Sequence, residues 1–451
     1  MERLRARLPQ LNPQIWTQAA GRCLFKLGQG LLQFYMPLLF VNQVGLSTTA
    51  VGVSVGSASL SGAIGYIAGG SLADSQRWGR KGTLLLSAGL SVVAALVLAL
   101  ARDTPTLIAA NLLLGIGIGF YWPAADASVT DVAAPEERRQ AFALLGVAEN
   151  LGVGAGIIGG GIALLALAQP QQLFLLTAPI FLAFGALIRL AMTETRQPQA
   201  EGNSDSVRGW LVALQDRPLW IFVAVNLFFT TYIALVYSTL PLYFTNFVLA
   251  GGGDPDALVS FSPTSTAGLF AWHVLCASVL QMPVVRALRT LTQARALAVA
   301  MLLWGAGFGL VWLTSQIGGG RTPLAFAALA FLALATVAYQ PLASSLVAEL
   351  APQSQRGVYS AVNAQCWTVG DFVSPVLGGW ALDHSAAVAH NAWLVAAATT
   401  VFGLLLLPLL DRYRTQVAAE SLTVPGYGEG SPSEGNAYQH QSPLGAGASS
   451  Q

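Results

Sequence analysis

Apolar residues in this chain do not alternate with polar ones. They run together in blocks near the roughly 20 residues an α-helix needs to cross the hydrocarbon of a bilayer. The blocks cover 14–40, 48–72, 83–101, 106–128, 140–167, 173–192, 218–247, 266–285, 296–316, 323–347, 357–382 and 390–410. This pattern predicts an all-α, polytopic membrane protein of about twelve transmembrane helices. The longest polar stretch, 193–217, divides the blocks six and six. Four parts follow: an N-terminal half over 1–192, a central loop over 193–217, a C-terminal half over 218–410 and a tail over 411–451. The tail is rich in Gly, Ser, Pro and Gln and is expected to stay disordered on the cytoplasmic side. The first block is too long for the core of a signal peptide, and no small-residue cleavage site follows it. It is expected to remain as helix one.

Composition agrees with a lipid environment. Of 451 residues, 54% are hydrophobic and only 10% charged, against about 25% charged in soluble domains. The net charge of +1 offers nothing to nucleic acid. Cys23, Cys276 and Cys366 are scattered, as are the histidines, so neither a disulfide framework nor metal-ligand spacing is present, and no cofactor is expected. No Walker A pattern occurs, and nothing points to an enzyme. With the N-terminus placed inside, nearly all 22 Lys and Arg residues fall on the cytoplasmic side. The exceptions are Arg102 and Arg321 outside, and Arg22 and Lys26 within helix one. Both termini are therefore expected to be cytoplasmic, in the plasma membrane of a bacterial-type cell (its inner membrane).

The two halves share an internal repeat. The stretch from Tyr121 lies over the stretch from Tyr339 without a gap, pairing Pro123 with Pro341, Arg138 with Arg356, Gly152 with Gly370, Gly160 with Gly378 and Gly161 with Gly379. Helices four and five thus match helices ten and eleven. Parallel six-helix halves related by an axis along the membrane normal are a known transporter plan, with the substrate site at their interface.

After helix two, the run Gly70, Leu72, Asp74, Arg77, Gly79, Arg80, Lys81 resembles the signature loop of the major facilitator superfamily. It departs from that loop by two extra residues between Asp74 and Gly79. Its glycines would permit a tight turn and close helix approach, and Asp74 could meet a helix N-terminus or an Arg to latch the inward side. Helix four carries Asn111, a further candidate for the cavity, where the family often has an intramembrane Arg. Helix five, with Gly152, Gly156, Gly160 and Gly161, resembles the drug/proton antiporter group, although Ile157 replaces its hallmark Pro. Gly154, Gly156 and Gly159 also spell a dinucleotide fingerprint. They lie inside a continuous apolar span and not in a βαβ unit, so small-residue helix packing explains them.

Charge at mid-membrane is costly, by at least about 2.5–3.5 kcal/mol on insertion scales. Arg22, Lys26, Gln29 and Gln33 recur at helical spacing and form one polar stripe on helix one, expected to face a cavity. Arg22 has the alternative of snorkelling to the surface. Glu149 is either the partner of Lys26 or a protonatable carrier. Asn150 on helix five, Asp371 on helix eleven and Asn226 complete the candidate cavity, while Asp126 could cap or pair at the inner end of helix four. The resemblance implies a monomeric secondary active transporter working by alternating access. Its expected activity is proton-coupled export of a small, partly apolar molecule. Import of a small anion or metabolite, suggested by Arg22 and Lys26, and a non-transporting receptor on the same fold remain the alternatives.

Overall fold

A computed structural model describes residues 11–134, 137–196, 215–250, 259–317, 320–351 and 356–423. Twelve helical spans occur among them: α1 (Pro13–Asn42), α2 (Thr48–Asp74), α3 (Gly79–Leu100), α4 (Thr104–Val132), α5 (Arg138–Ala166), α6 (Gln172–Leu175 and Thr177–Ala191), α7 (Arg217–Ser238, continued by Leu240–Phe247), α8 (Pro263–Leu288), α9 (Gln293–Gln316), α10 (Arg321–Leu350), α11 (Arg356–Leu382) and α12 (Ala386–Thr423). Eleven are long and apolar enough to cross a membrane on length and composition. The other, α11, is as long, and Asn363, Gln365 and Asp371 dilute its apolar character. Leu100, Leu165 and Leu190 stand largely exposed, as lipid-facing side chains do. Strands β1 (Leu249–Ala250) and β2 (Val259–Ser260) form a small antiparallel hairpin between α7 and α8.

Two differences from the hydrophobic blocks have local causes. The block 218–247 is broken at Thr239, because Pro241 has no N–H to give and its ring crowds the carbonyl four residues back. In α6, Pro179 follows the break at Leu176 by three residues, so its missing N–H falls opposite the Leu175 carbonyl. At the other end, α12 continues to Thr423, so the disorder expected from 411 does not begin there. The rest of that tail, and 197–214 of the central loop, lie outside the described residues.

Within the first half, α1 lies directly on α5. A Cβ at Gly152 would strike the carbonyl of Cys23, and one at Gly156 the carbonyl of Leu27. Tyr35 of α1 donates to the Ile157 carbonyl at 2.7 Å. These approaches tie α1 and α5 into one body.

The halves meet along α2–α11 and α5–α8, two seams exchanged by the internal repeat. The contacts gather toward the end of the bundle opposite the loops that carry Arg77, Arg196 and Arg289. That end, the far face, holds the connections around 43–47 and 383–385. A Cβ at Gly52 would strike the Pro375 carbonyl, and one at Gly56 would lie only 3.0 Å from the Phe372 carbonyl. The free N–H groups of the first turn of α2 are fully accounted for. Ser47 Oγ accepts from Ala50 at 3.1 Å, and the Ser47 carbonyl accepts from Val51. Thr48 and Thr49 donate to the carboxylate of Asp383, at the end of α11, at 2.7 and 2.6 Å. A residue of one half thus caps a helix of the other. Beside it Asn42 and Asn246 exchange amide hydrogen bonds at 3.1 and 2.9 Å.

Burial raises the Asp383 carboxyl, but donation from Thr49 and Thr48 outweighs it and holds the group below its ordinary value. The closure it provides is complete above the ordinary carboxylate range and is lost only as pH falls through the lowered value, so mildly acid solution leaves it intact. Asp383→Asn should loosen the far face at pH 7 by about 1 kcal/mol, a roughly five-fold effect. The rate of alkylation of Ser238→Cys, on the wall of a small cavity beneath this seam, measures it; an unchanged rate would remove Asp383 from the closure. A second expectation concerns α1–α5. Gly156→Leu should cost about 1–3 kcal/mol through overpacking and lower the melting temperature in detergent. Gly159→Leu, with no atom within 4 Å, should leave it unchanged.

Candidate transport site

Helix α1 carries Arg22 and Lys26 one turn apart, and α4 and α5 supply their counter-charges. Arg22 Nη2 donates to Asp126 Oδ1 at 2.5 Å, and its Nε lies 3.4 Å from the Tyr121 hydroxyl. Lys26 Nζ stands 2.7 Å from Glu149 Oε1. Trp122 lies against both cations, with its ring centre 5.0 Å from Arg22 Cζ and 4.5 Å from Lys26 Nζ. Phe25 stacks on Tyr121 at 3.9 Å and holds the α1–α4 register. From a rise of about 1.5 Å per residue, Lys26 lies about 20 Å into α1 and Glu149 about 17 Å into α5, near the middle of each helix.

Exposure separates the members of each pair. The cations are nearly sealed, with side chains 6% (Arg22) and 10% (Lys26) accessible, while Asp126 keeps 45% and Glu149 30%. The carboxylates, and not the amine or guanidinium, face open space. Arg22 therefore does not snorkel; it is paired. The expected cavity stripe needs the same correction: Gln29 is buried along with the two cations, and of the four only Gln33 is exposed. The reason is charge compensation, which draws the cations toward α4 and α5.

Two further cavity candidates are buried and hydrogen-bonded between or within helices. Asn111 is buried, donating to its own helix at the Leu107 carbonyl (2.9 Å) and facing Met36 Sδ at 3.3 Å. Asn226 is buried as well. It accepts a short hydrogen bond from the Tyr339 hydroxyl and donates to Asn363 Oδ1 at 2.9 Å. Both amides are consumed by helix packing. Asn150 is half-buried on α5 beside Glu149. Asp371 differs from all of these. It is open to the space between the halves though enclosed deep among helices, with Lys26 within electrostatic reach. It makes no hydrogen bond or ion pair among the described residues.

Corresponding residues show where the halves diverge. Phe229 stacks on Tyr339 as Phe25 does on Tyr121. Asn226 meets the Tyr339 hydroxyl where Arg22 meets that of Tyr121. One residue beyond each phenylalanine stand Thr230 and Lys26, and the repeat partner of Glu149 is Trp367. Both intramembrane ion pairs of α1 thus belong to the first half, and their second-half counterparts are neutral.

The signature loop forms a brace within its own half. Gly79, at φ +62°, makes the turn, whereas Gly70 lies inside α2, where an added Cβ would come no nearer than 4.0 Å to Pro123. Arg80 is buried, pairing closely with Asp74 and at 3.1 Å with Asp131. Of the two partners open to Asp74, it takes the Arg. Glu194 accepts from the backbone N–H of Arg80 and Lys81 at 3.0 and 3.1 Å, capping α3, and Lys81 Nζ donates to the Met192 carbonyl at 2.6 Å. Arg77 is exposed. Sequence reasoning missed Asp131, Glu194 and Asp383, whose partners lie on remote segments, and the double contact of Trp122.

Comparison with known proteins places these observations. The family model described as the Major Facilitator Superfamily matches residues 19–271. A Na(+), Li(+), K(+)/H(+) antiporter of Planococcus maritimus is 27% identical over 335 residues, 68% of this chain and 76% of that protein. The uncharacterized MFS-type transporter YttB of Bacillus subtilis (strain 168) is 24% identical over 359 residues, 76% and 82% of the two chains. The crystal structure of nucleoside transporter NupG superposes with a TM-score of 0.73 at 11% identity, over 89% of this chain and 100% of that one. The similarity to NupG is one of fold.

Removing one member of a mid-depth pair should show how tightly it is coupled. Lys26→Ala leaves Glu149 without its counter-ion and should lower stability by about 2–3 kcal/mol. That is less than the roughly 3–5 kcal/mol of a fully buried pair, because Glu149 is partly exposed. Adding Glu149→Gln should recover most of the loss in a double-mutant cycle read by thermal melting. Additive losses would mean the two side chains do not interact.

Proposed function

The chain belongs to the Major Facilitator Superfamily, and we propose that it is a proton-coupled secondary transporter that exports a small, partly apolar molecule by alternating access. The observation that carries this reading is the Lys26–Glu149 pair: an ammonium and a half-open carboxylate 2.7 Å apart at mid-depth. A carboxylate there binds a proton when its counter-ion leaves and releases it when the counter-ion returns, because neither charge is stable alone at low dielectric. The gathering of half-to-half contacts at the far face supports a cavity open toward the Arg-rich side, which the charge bias assigns to the cytoplasm. Pairing of Arg22 and Lys26 leaves neither of them free for an anionic cargo, so import of anions is the weaker reading. The Planococcus relative adds monovalent cations to the candidate cargoes.

Proteoliposomes enclosing a pH-sensitive dye test this. With a preset pH gradient, addition of Na⁺, Li⁺, K⁺ or the lipophilic dye ethidium to wild-type protein should dissipate the gradient for at least one of these cargoes. Glu149→Gln should slow that dissipation by ten-fold or more. A Glu149→Gln protein as fast as wild type would remove Glu149 from coupling. Failure of all four probes to exchange in wild type would count against both cargo classes.

A further inference from the structure

Rocking of two halves leaves distances within a half nearly fixed. Lys26 and Glu149 both belong to the first half, and their helices are pressed together at Gly152 and Gly156. No relative movement of the halves can by itself draw them apart. If the state of the protein is to decide whether Glu149 holds a proton, something on the other half must compete for Lys26.

Asp371 meets that requirement. It stands on α11 of the second half, about 22 Å into the helix, open to the space between the halves and without a hydrogen bond or ion pair among the described residues. A mid-membrane carboxylate with no partner is costly unless it acquires one. Around it, α2 and α11 are locked together at the far face, so its distance from α1 changes when that seam parts. Lys26 can follow, because its ammonium rides on a flexible four-carbon stem.

The groups facing Glu149 limit the alternatives. On α1 they are Lys26 and Arg22, and on α4 Tyr121. On α7, Tyr237 lies within its electrostatic reach and turns its hydroxyl toward His273 of α8, 3.4 Å away. Arg22 is already taken by Asp126. That leaves Lys26 as the cation with a choice, and Asp371 as the carboxylate that offers one.

We propose that Asp371 is the second seat of Lys26: the ammonium rests on Glu149 while the cavity is open at the Arg-rich face, and passes to Asp371 as the halves close there. Glu149, left alone, takes one proton; when Lys26 returns, the proton leaves. Asp371 is a positioning residue, acting on the proton through Lys26. This rests on Glu149 as the carrier.

The test uses full-length protein in which Cys23, Cys276 and Cys366 are replaced by Ser, with spin labels on Arg102→Cys and His384→Cys. Both positions are exposed at the far face, one in each half. Lowering the pH should protonate Glu149, send Lys26 to Asp371 and lengthen the label separation. The ratio of open to closed far face should change by up to ten-fold per pH unit, the limit for one proton. Asp371→Asn should flatten this response, and Asp371→Glu should restore it. Glu149→Gln should flatten it in the open form. A slope that survives Asp371→Asn overturns the handover and leaves Glu149 as carrier untouched. If the slope survives Glu149→Gln but not Asp371→Asn, Asp371 is the proton's own seat, and both the handover and the carrier role of Glu149 fall. A wild-type response absent from pH 5 to 8 sinks both as well.

Discussion

Lys26 and Glu149 meet at 2.7 Å near the middle of their helices, and much of the first half is arranged so that this pair can exist. An ammonium in hydrocarbon needs a counter-ion on a neighbouring helix, and that helix has to come close. The glycines of α5 let it do so, because any side chain at Gly152 or Gly156 would strike the backbone of α1. Trp122 then shields the cation from above, and the Phe25–Tyr121 stack fixes α4 at the same level. Packing density and charge compensation are one requirement here: removing the close approach would strand the charge.

The sequence made the helices legible because the hydrocarbon thickness is a strict ruler, and all twelve blocks correspond to spans. It could not show the break at Thr239, where a long apolar run hid the effect of Pro241. In the site, the Lys26–Glu149 partnership was one of two readings open from charge and depth alone. Asn111 and Asn226 looked like cavity residues because polarity inside an apolar run says nothing about direction. Their amides instead satisfy neighbouring helices. Asp383 carried no signal at all. Its partners are backbone N–H groups more than three hundred residues earlier, and backbone donors leave no trace in residue identity.

Divergence between the halves is chemical more than architectural. The aromatic stack, the tyrosine-centred hydrogen bond and the glycine contacts recur on both sides, while the intramembrane ion pairs of the first half become asparagine, threonine and tryptophan in the second. A fold that keeps its packing while neutralising one copy of its charges has confined its intramembrane ion pairs, among the described residues, to one body. Asp371, without a counterpart acid at the matching position Val153, is the intramembrane carboxylate that the second half adds among the described residues.

The far face has a geometric consequence of its own. Asn42 and Asn246 stand equally far beyond Phe25 and Phe229, so each meets its own equivalent, as residues do on the axis of an isologous dimer. Such a self-matched contact favours neither subunit. Asp383 has no such twin: the matching position at the end of α5 is Leu165, exposed and apolar. One seam is therefore bolted and the other merely abutted. Any parting of this face would start at the unbolted α5–α8 edge and reach α2–α11 last, so the opening would be skewed and not symmetric.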